Sequence, residues 1–269
     1  LEALRLHHLD KYEASKASAG RLDGKEGGLS PRTVNHHLST LITIINHAVD
    51  REKMVMPVWM RKLKKPGTKK TIPEYALTRE EVQKLHEASE GTRFDPYILV
   101  AATTGLHRSE QMGLLWEDID FENNYISINK SVHEYKAGIW TYEPCKNDYR
   151  FRTIPMHDSV RTALWDFRFA AQQSISGWSE KTPVFANANG NPYRMNSVTD
   201  GVKELMMKIG LDKRANLKSL RHSFATVLIE RGVAMEIVRD LMGHSSIMTT
   251  ASHYTHVRPQ VRDTAMSVF

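Results

Sequence analysis

Between residues 61 and 70 the chain carries Arg61, Lys62, Lys64, Lys65, Lys69 and Lys70 with no acid among them, broken by Pro66 and Gly67. Six like charges around a helix breaker cannot enter an apolar core, so this stretch stays at the surface. Residues 1–77 hold 14 basic and 8 acidic side chains, while residues 78–269 hold 23 of each, so the whole formal charge of +6 lies at the N-terminal end. Such a run reads either as a solvated linker or as a strap that tracks phosphates between two DNA-gripping domains. A length of 269 residues is also ample for two domains.

The segment before the run reads as helical. Leu1, Leu4, Leu6 and Leu9 begin an apolar pattern that gives way to a loop over 20–28. Ser30 and Pro31 mark a helix start, since a hydroxyl caps orphan amides and proline suits the first turn. Val34, Leu38, Leu41, Ile42, Ile45 and Val49 then repeat on one face, which predicts a helix to about Lys53. The abrupt apolar opening leads us to expect that the sequence lacks its true N-terminus.

Thr78 and Glu81 have the spacing of a capping box, in which each side chain satisfies an amide of the same first turn. Asp95 and Pro96 open a second helix with Gly105 as its stop, and a short helix carrying Glu110, Leu114 and Leu115 follows. Over 119–155 the period changes to two: Ile126 and Ile128 alternate with polar residues, and Arg152 to Pro155 is extended. A small antiparallel sheet is expected there. Helical spacing returns with Val160, Leu164 and Phe167, then Val198, Val202, Leu205 and Ile209, then Leu220, Phe224 and Leu228. The expected fold is mainly α with a small antiparallel β-sheet, with a helical domain at 1–60, a basic linker at 61–77, a second domain at 78–256 and a tail at 257–269.

Several classes of function fall away. No stretch approaches the roughly 18 apolar residues that a bilayer span needs, and Leu1 to Asp10 lacks a signal peptide's apolar segment, so we expect a soluble cytoplasmic protein. The single Cys145 can form no internal disulfide or Cys-rich zinc site, and no motif around it marks a nucleophile. His7 and His8, like His36 and His37, are adjacent pairs that face different ways on a helix, and no His-Glu-x-x-His occurs. Met54, Met56, Met60, Met206 and Met207 fall among apolar helix positions and read as core packing.

The densest cluster of reactive side chains is C-terminal: Lys218, Arg221 and His222, then His244, then His253, Tyr254 and His256. Lys218 and Arg221 are three apart on one helix face, where they could grip one phosphate or form a surface ion-pair face. Gly243 ends a helix before His244 and would hold the imidazole in a bend, as a reactive or as a buried structural histidine.

These residues resemble the tyrosine recombinases, the phage, transposon and plasmid integrases. Leu241-Met-Gly-His244 through Thr250, followed by Tyr254-Thr-His256, is similar to the box in which a histidine precedes the nucleophilic tyrosine by ten residues. Leu217-Lys-Ser-Leu-Arg221-His-Ser-Phe224 resembles the His/Lys-x-x-Arg box, with Lys218 first. Cys145-Lys146 and the following Arg152 to Pro155 resemble the sheet segment that presents the catalytic lysine. The motifs run in order from Thr78 to His256, and residues 30–60 are similar to the family's helical (SAM-like) core-binding domain.

The resemblance implies site-specific cleavage and rejoining of double-stranded DNA, for integration or excision of a mobile element, through a 3′-phosphotyrosyl link to Tyr254. It assigns charge stabilisation to Arg221, Lys218 and His244, proton donation to Lys146, an orienting role to Glu110 and DNA contacts to the basic residues 61–70. It calls for no metal or other cofactor. It also implies a homotetramer on paired DNA sites held by the apolar-ended tail, in a bacterial, nucleoid-associated setting. One position departs. Thr104-Gly-Leu-His107-Arg108-Ser-Glu110 matches the first box except that His107 stands where the family has its first catalytic arginine. Histidine lacks the guanidinium fork, so impaired catalysis is expected, and Arg108 as a helical neighbour would point about 100° away. The alternatives are an inactive DNA-binding member of the fold and a relaxing topoisomerase of the same chemistry.

Overall fold

The computed structural model describes residues 4–21, 26–52, 55–56, 59, 75–136, 138–145 and 148–254, with the backbone alone for 52, 148, 249 and 252–254. The basic run at 61–70, Lys146 and the tail at 257–269 lie outside the described residues. The chain forms two compact units, Leu1–Ile72 and Pro73–Phe269.

Among the described residues the first unit holds a helix pair, α1 (Leu6–Ser18) and α2 (Pro31–Glu52). Ser30 caps α2, its hydroxyl accepting from the Thr33 amide at 3.1 Å. Leu9, Val34 and Leu38 are buried together, with Leu4, Leu29, Leu41 and Trp59 against them. The Trp59 indole donates to the Leu4 carbonyl at 3.1 Å, which satisfies its polar handle at the edge of that small core.

The second unit opens on α3 (Arg79–Ser89), and the expected capping box is formed: the Glu81 amide donates to Thr78 Oγ1 at 3.2 Å and the Thr78 amide to Glu81 Oε2 at 2.8 Å. Next come α4 (Asp95–Thr104) and α5 (Arg108–Met112). The latter is shorter than its sequence pattern predicts. It stops at Gly113, and Leu114 enters the core in extended chain instead, its carbonyl accepting from the Val184 amide at 2.8 Å.

The alternating stretch forms two sheets where one is expected. Strands β1 (Ile119–Asp120), β2 (Tyr125–Ile128) and β5 (Arg152–Pro155) make an antiparallel sheet in the order β1-β2-β5, with Ile126 opposite Ile154 and Ile128 opposite Arg152. Strands β3 (Lys130–Lys136) and β4 (Ile139–Pro144) form a separate hairpin. The break falls at Asn129, whose amide group donates to the buried Asp118 at 3.0 Å, and Lys130 adds an ion pair to the same carboxylate at 2.7 Å. Cys145, just past the hairpin, is buried, and burial raises its thiol pKa.

Five helices complete the unit: α6 (Asp158–Ser174), α7 (Met195–Lys208), α8 (Leu217–Glu230), α9 (Met235–Met242) and α10 (Ile247–Tyr254). The predicted apolar faces of α6, α7 and α8 are buried, with Val160, Leu164, Val198, Val202 and Leu220 in the core beside Leu85, Tyr97, Trp116 and Phe185; Met206 joins them, but Met207 and Met56, expected as core packing, are exposed. Helix α4 packs on α8, and α9 packs on β5 and α10.

Gly105 governs the α4 to α8 contact. It ends α4 in the left-handed region at φ 62°, and a Cβ there would come within 2.4 Å of the Phe224 ring. Both the conformation and the space require glycine. Gly105→Ala is expected to destabilise the second unit by about 1–2 kcal/mol from the left-handed backbone alone, with the ring overlap adding to it. Urea unfolding followed by circular dichroism measures this, and an unchanged midpoint would contradict it.

Candidate active site

The site is assembled where α4, α8 and α9 end or cross. Asn216 caps α8, its side-chain oxygen accepting from the Lys218 amide at 2.9 Å, which fixes the helix that carries Lys218 and Arg221. The Arg221 guanidinium donates through Nη1 to the Gly105 carbonyl and through Nη2 to the Met242 carbonyl, each at 2.5 Å. Those carbonyls belong to the ends of α4 and α9, where helices leave acceptors unsatisfied. Arg221 is thus both a tie between helix ends and a charge at the rim of a cavity of about 230 Å³, which Lys218 also lines.

Beneath this lies a buried ion pair. Glu110 is 2% exposed, and Arg152 Nη2 donates to its Oε2 at 2.8 Å. Arg152 also donates through Nε to the Leu241 carbonyl at 2.8 Å and through Nη1 to the Arg150 carbonyl at 3.1 Å. The pair therefore locks α5, β5 and the end of α9 together. Burial pushes the Glu110 carboxyl pKa up, but the Arg152 charge and hydrogen bond outweigh it and the net direction is down. Gly243 makes room for this junction: it is left-handed at φ 65°, and a Cβ there would lie 2.7 Å from Arg152 Nη1.

His107 is the N-cap of α5, with extended backbone at φ −69° and ψ 146°. Its amide donates to Glu110 Oε2 at 3.0 Å, and its Nδ1 sits 2.8 Å from Ser109 Oγ. The residue keeps an exposed face on the cavity, yet partial withdrawal from water and the nearby Arg221 charge push its imidazole pKa down to about 4, against the opposing pull of Glu110. Near neutral pH the ring carries no charge. Arg108 lines the same cavity, its Nη1 donating to Thr199 Oγ1 at 2.8 Å. The expected 100° separation does not apply, because His107 precedes the helix and only Arg108 lies within it.

Farther along, His244 follows the α9 stop in the bend predicted for it. It is half-buried, with Nδ1 2.9 Å from Thr250 Oγ1. Tyr254 is the last residue of α10, ten residues on, and is described here by its backbone. The structure thus groups His107, Lys218 and Arg221 at one cavity, sets Glu110 beneath them and places His244 directly beyond the Met242 carbonyl that Arg221 holds. Sequence reasoning missed Arg152 as the partner of Glu110. A signal existed: in β5 it shares the period-two face of the buried Ile154, and a charge on an inward face needs a counter-charge.

The family model described as phage integrase family matches residues 76–261, most of the chain. The chain belongs to the phage integrase family of tyrosine recombinases. Within that family it is 30% identical over 258 residues to a "Tyrosine recombinase XerC-like" protein of Caldanaerobacter subterraneus subsp. tengcongensis, covering 89% of this chain and 66% of the relative. It is 25% identical over 270 residues to the transposase from transposon Tn916 of Enterococcus faecalis, covering 95% of this chain and 66% of that protein. The chain thus spans just under two thirds of the length of these relatives. Among solved structures, the Tn1549 transposon integrase in complex with transposon right end DNA has the same fold, with a TM-score of 0.77 at 20% identity over 99% of this chain and 86% of that one. Among the described residues no helix is long and apolar enough to cross a membrane.

Two outcomes are expected for this family member. Arg152→Ala leaves the buried Glu110 carboxylate with only the more distant Arg150 at 3.9 Å and costs up to about 3–5 kcal/mol in chemical denaturation, whereas the paired change Glu110→Gln with Arg152→Met costs less. For His107, the unfolded ring binds a proton near its ordinary value of 6.5 and the folded ring only near about 4, so this residue erodes stability as pH falls between the two. Its imidazole resonance in an NMR titration should move near pH 4, and His107→Gln should flatten the pH dependence of stability in that interval.

Proposed function

We propose that this chain is a site-specific DNA recombinase, an integrase that cuts and rejoins double-stranded DNA to integrate or excise a mobile element. Family membership and the likeness to transposon proteins support that reading. The single observation that carries it for these residues is Arg221: a guanidinium fixed by two helix-end carbonyls, at a cavity shared with Lys218, next to the bend that leads through His244 to Tyr254.

In this reading the Tyr254 phenolic oxygen attacks a backbone phosphorus. The new phosphorus–oxygen bond to tyrosine replaces the bond to the 5′-oxygen; the phenolic proton passes to solvent, and Lys146 supplies the proton that leaves a free 5′-hydroxyl. Attack by that hydroxyl, or by one from a partner strand, reverses the step, so the ester is conserved and no nucleotide cofactor is consumed. Charge gathering on the nonbridging oxygens is met by Arg221, Lys218 and His244. Glu110 acts at one remove by holding Arg152 and the His107 amide in place. The basic residues 61–70 track the DNA backbone, and the tail at 257–269 joins protomers into a tetramer on paired sites.

His107 is the weak member. A neutral imidazole offers one hydrogen-bond donor where a guanidinium offers five and a full charge, so cleavage by this chain is slow. A second reading, a DNA-binding protein without cleavage, draws on the same observation. Nicked suicide duplexes tiling both ends of the DNA element that carries this coding sequence separate the two on a denaturing gel. His107→Arg should accumulate covalent complex faster than this chain, by about 10- to 1000-fold if it restores one transition-state contact, and Tyr254→Phe should abolish it. No complex with any version would favour the binding protein.

A further inference from the structure

The cavity beside Arg221 contains one cation that neither the sequence motifs nor the family resemblance assigns. Arg108 lines it with His107, Lys218 and Arg221, and no carboxylate is among the lining residues. The one carboxylate close by in sequence, Glu110, faces Arg152. Among the described residues Arg108 makes no ion pair, and Thr199 Oγ1 is its one side-chain partner, at 2.8 Å. The Thr199 hydroxyl proton is itself given to the Met195 carbonyl at 2.8 Å, so Thr199 presents Arg108 with a neutral acceptor only. An exposed guanidinium parked on a neutral oxygen exchanges it readily for a charged one, because hydrogen bonds to an ionised acceptor are roughly twice as strong. Its neighbour cannot compete, since the His107 ring is uncharged near neutral pH and sits against Ser109 Oγ at 2.8 Å.

We propose that Arg108 is the second phosphate-binding guanidinium of this chain, moving from Thr199 onto a nonbridging oxygen of the scissile phosphate and partly replacing the arginine absent at position 107. The step down from position 107 to 108 is open because His107 caps α5 in extended conformation, so the two side chains leave the backbone toward one cavity. The inference rests on the recombinase reading. It makes the chain a slow enzyme whose remaining rate depends on Arg108.

The test is a mutant cycle on the same tiled suicide duplexes, with single-turnover cleavage measured at saturating protein. Arg108→Ala should slow covalent-complex formation by about 100-fold in this chain, as loss of a transition-state donor does, yet by less than about threefold once His107→Arg is present. Arg108→Lys should recover part of the loss. The thermal midpoint of Arg108→Ala should stay near the parent's, which a merely structural arginine would not give. Equal cleavage by the parent and Arg108→Ala overturns the proposal, as does an equal loss in both backgrounds or cleavage by His107→Arg alone. Absence of covalent complex from every version, His107→Arg included, overturns the recombinase reading and this inference with it.

Discussion

A buried carboxylate fixes much of this site. Glu110 has almost no contact with water, so the fold must bring it a cation, and Arg152 comes from a strand forty-two residues on. Once that guanidinium is committed, its remaining donors take the Leu241 and Arg150 carbonyls, and the start of α5, the β5 edge and the end of α9 become one junction. Arg221 then finds its two carbonyls at set positions, because both belong to helix ends that this junction or Gly105 holds. The pair contributes less to net stability than to position, as buried ion pairs often do. Its role is to make the geometry of the rim a consequence of folding.

Two glycines work in the same sense from the opposite direction. Gly105 and Gly243 end α4 and α9 in left-handed turns, where the Gly105 and Met242 carbonyls meet Arg221 and space is left for Phe224 and Arg152. The apolar core supplies the frame, and the helix ends supply the polarity. Chemistry at such a rim needs few additional polar side chains, since the backbone already orients the principal cation.

Much of this was legible from residue order alone. The caps at Ser30 and Thr78, the helix start at Asp95 and Pro96, the stops at Gly105 and Gly243, and the inward faces of α6, α7 and α8 follow from local rules, and these short-range patterns carry the mainly α architecture. What was not legible depends on distant partners. The alternation in residues 119–155 implied strands but not their division into two sheets, because the division turns on Asn129 and Lys130 meeting Asp118. The Arg152 partnership lay hidden for a similar reason: period two marks the inward charge but not the carboxylate waiting for it. Positions 107 and 108 are not related by a helical rotation, because the pair straddles the helix boundary and only Arg108 has helical backbone.

The two carbonyl bonds of Arg221 also bear on entropy. A free arginine side chain carries about 2 kcal/mol of rotamer freedom, which a surface cation surrenders when it closes on a ligand. Arg221 surrenders most of it during folding, when it joins α4 to α9, so its guanidinium is already ordered at the cavity rim. The cation at the centre of the rim is thus set during folding, before any ligand arrives. A charge preorganised in this way spares the ordering cost that a mobile side chain incurs on binding.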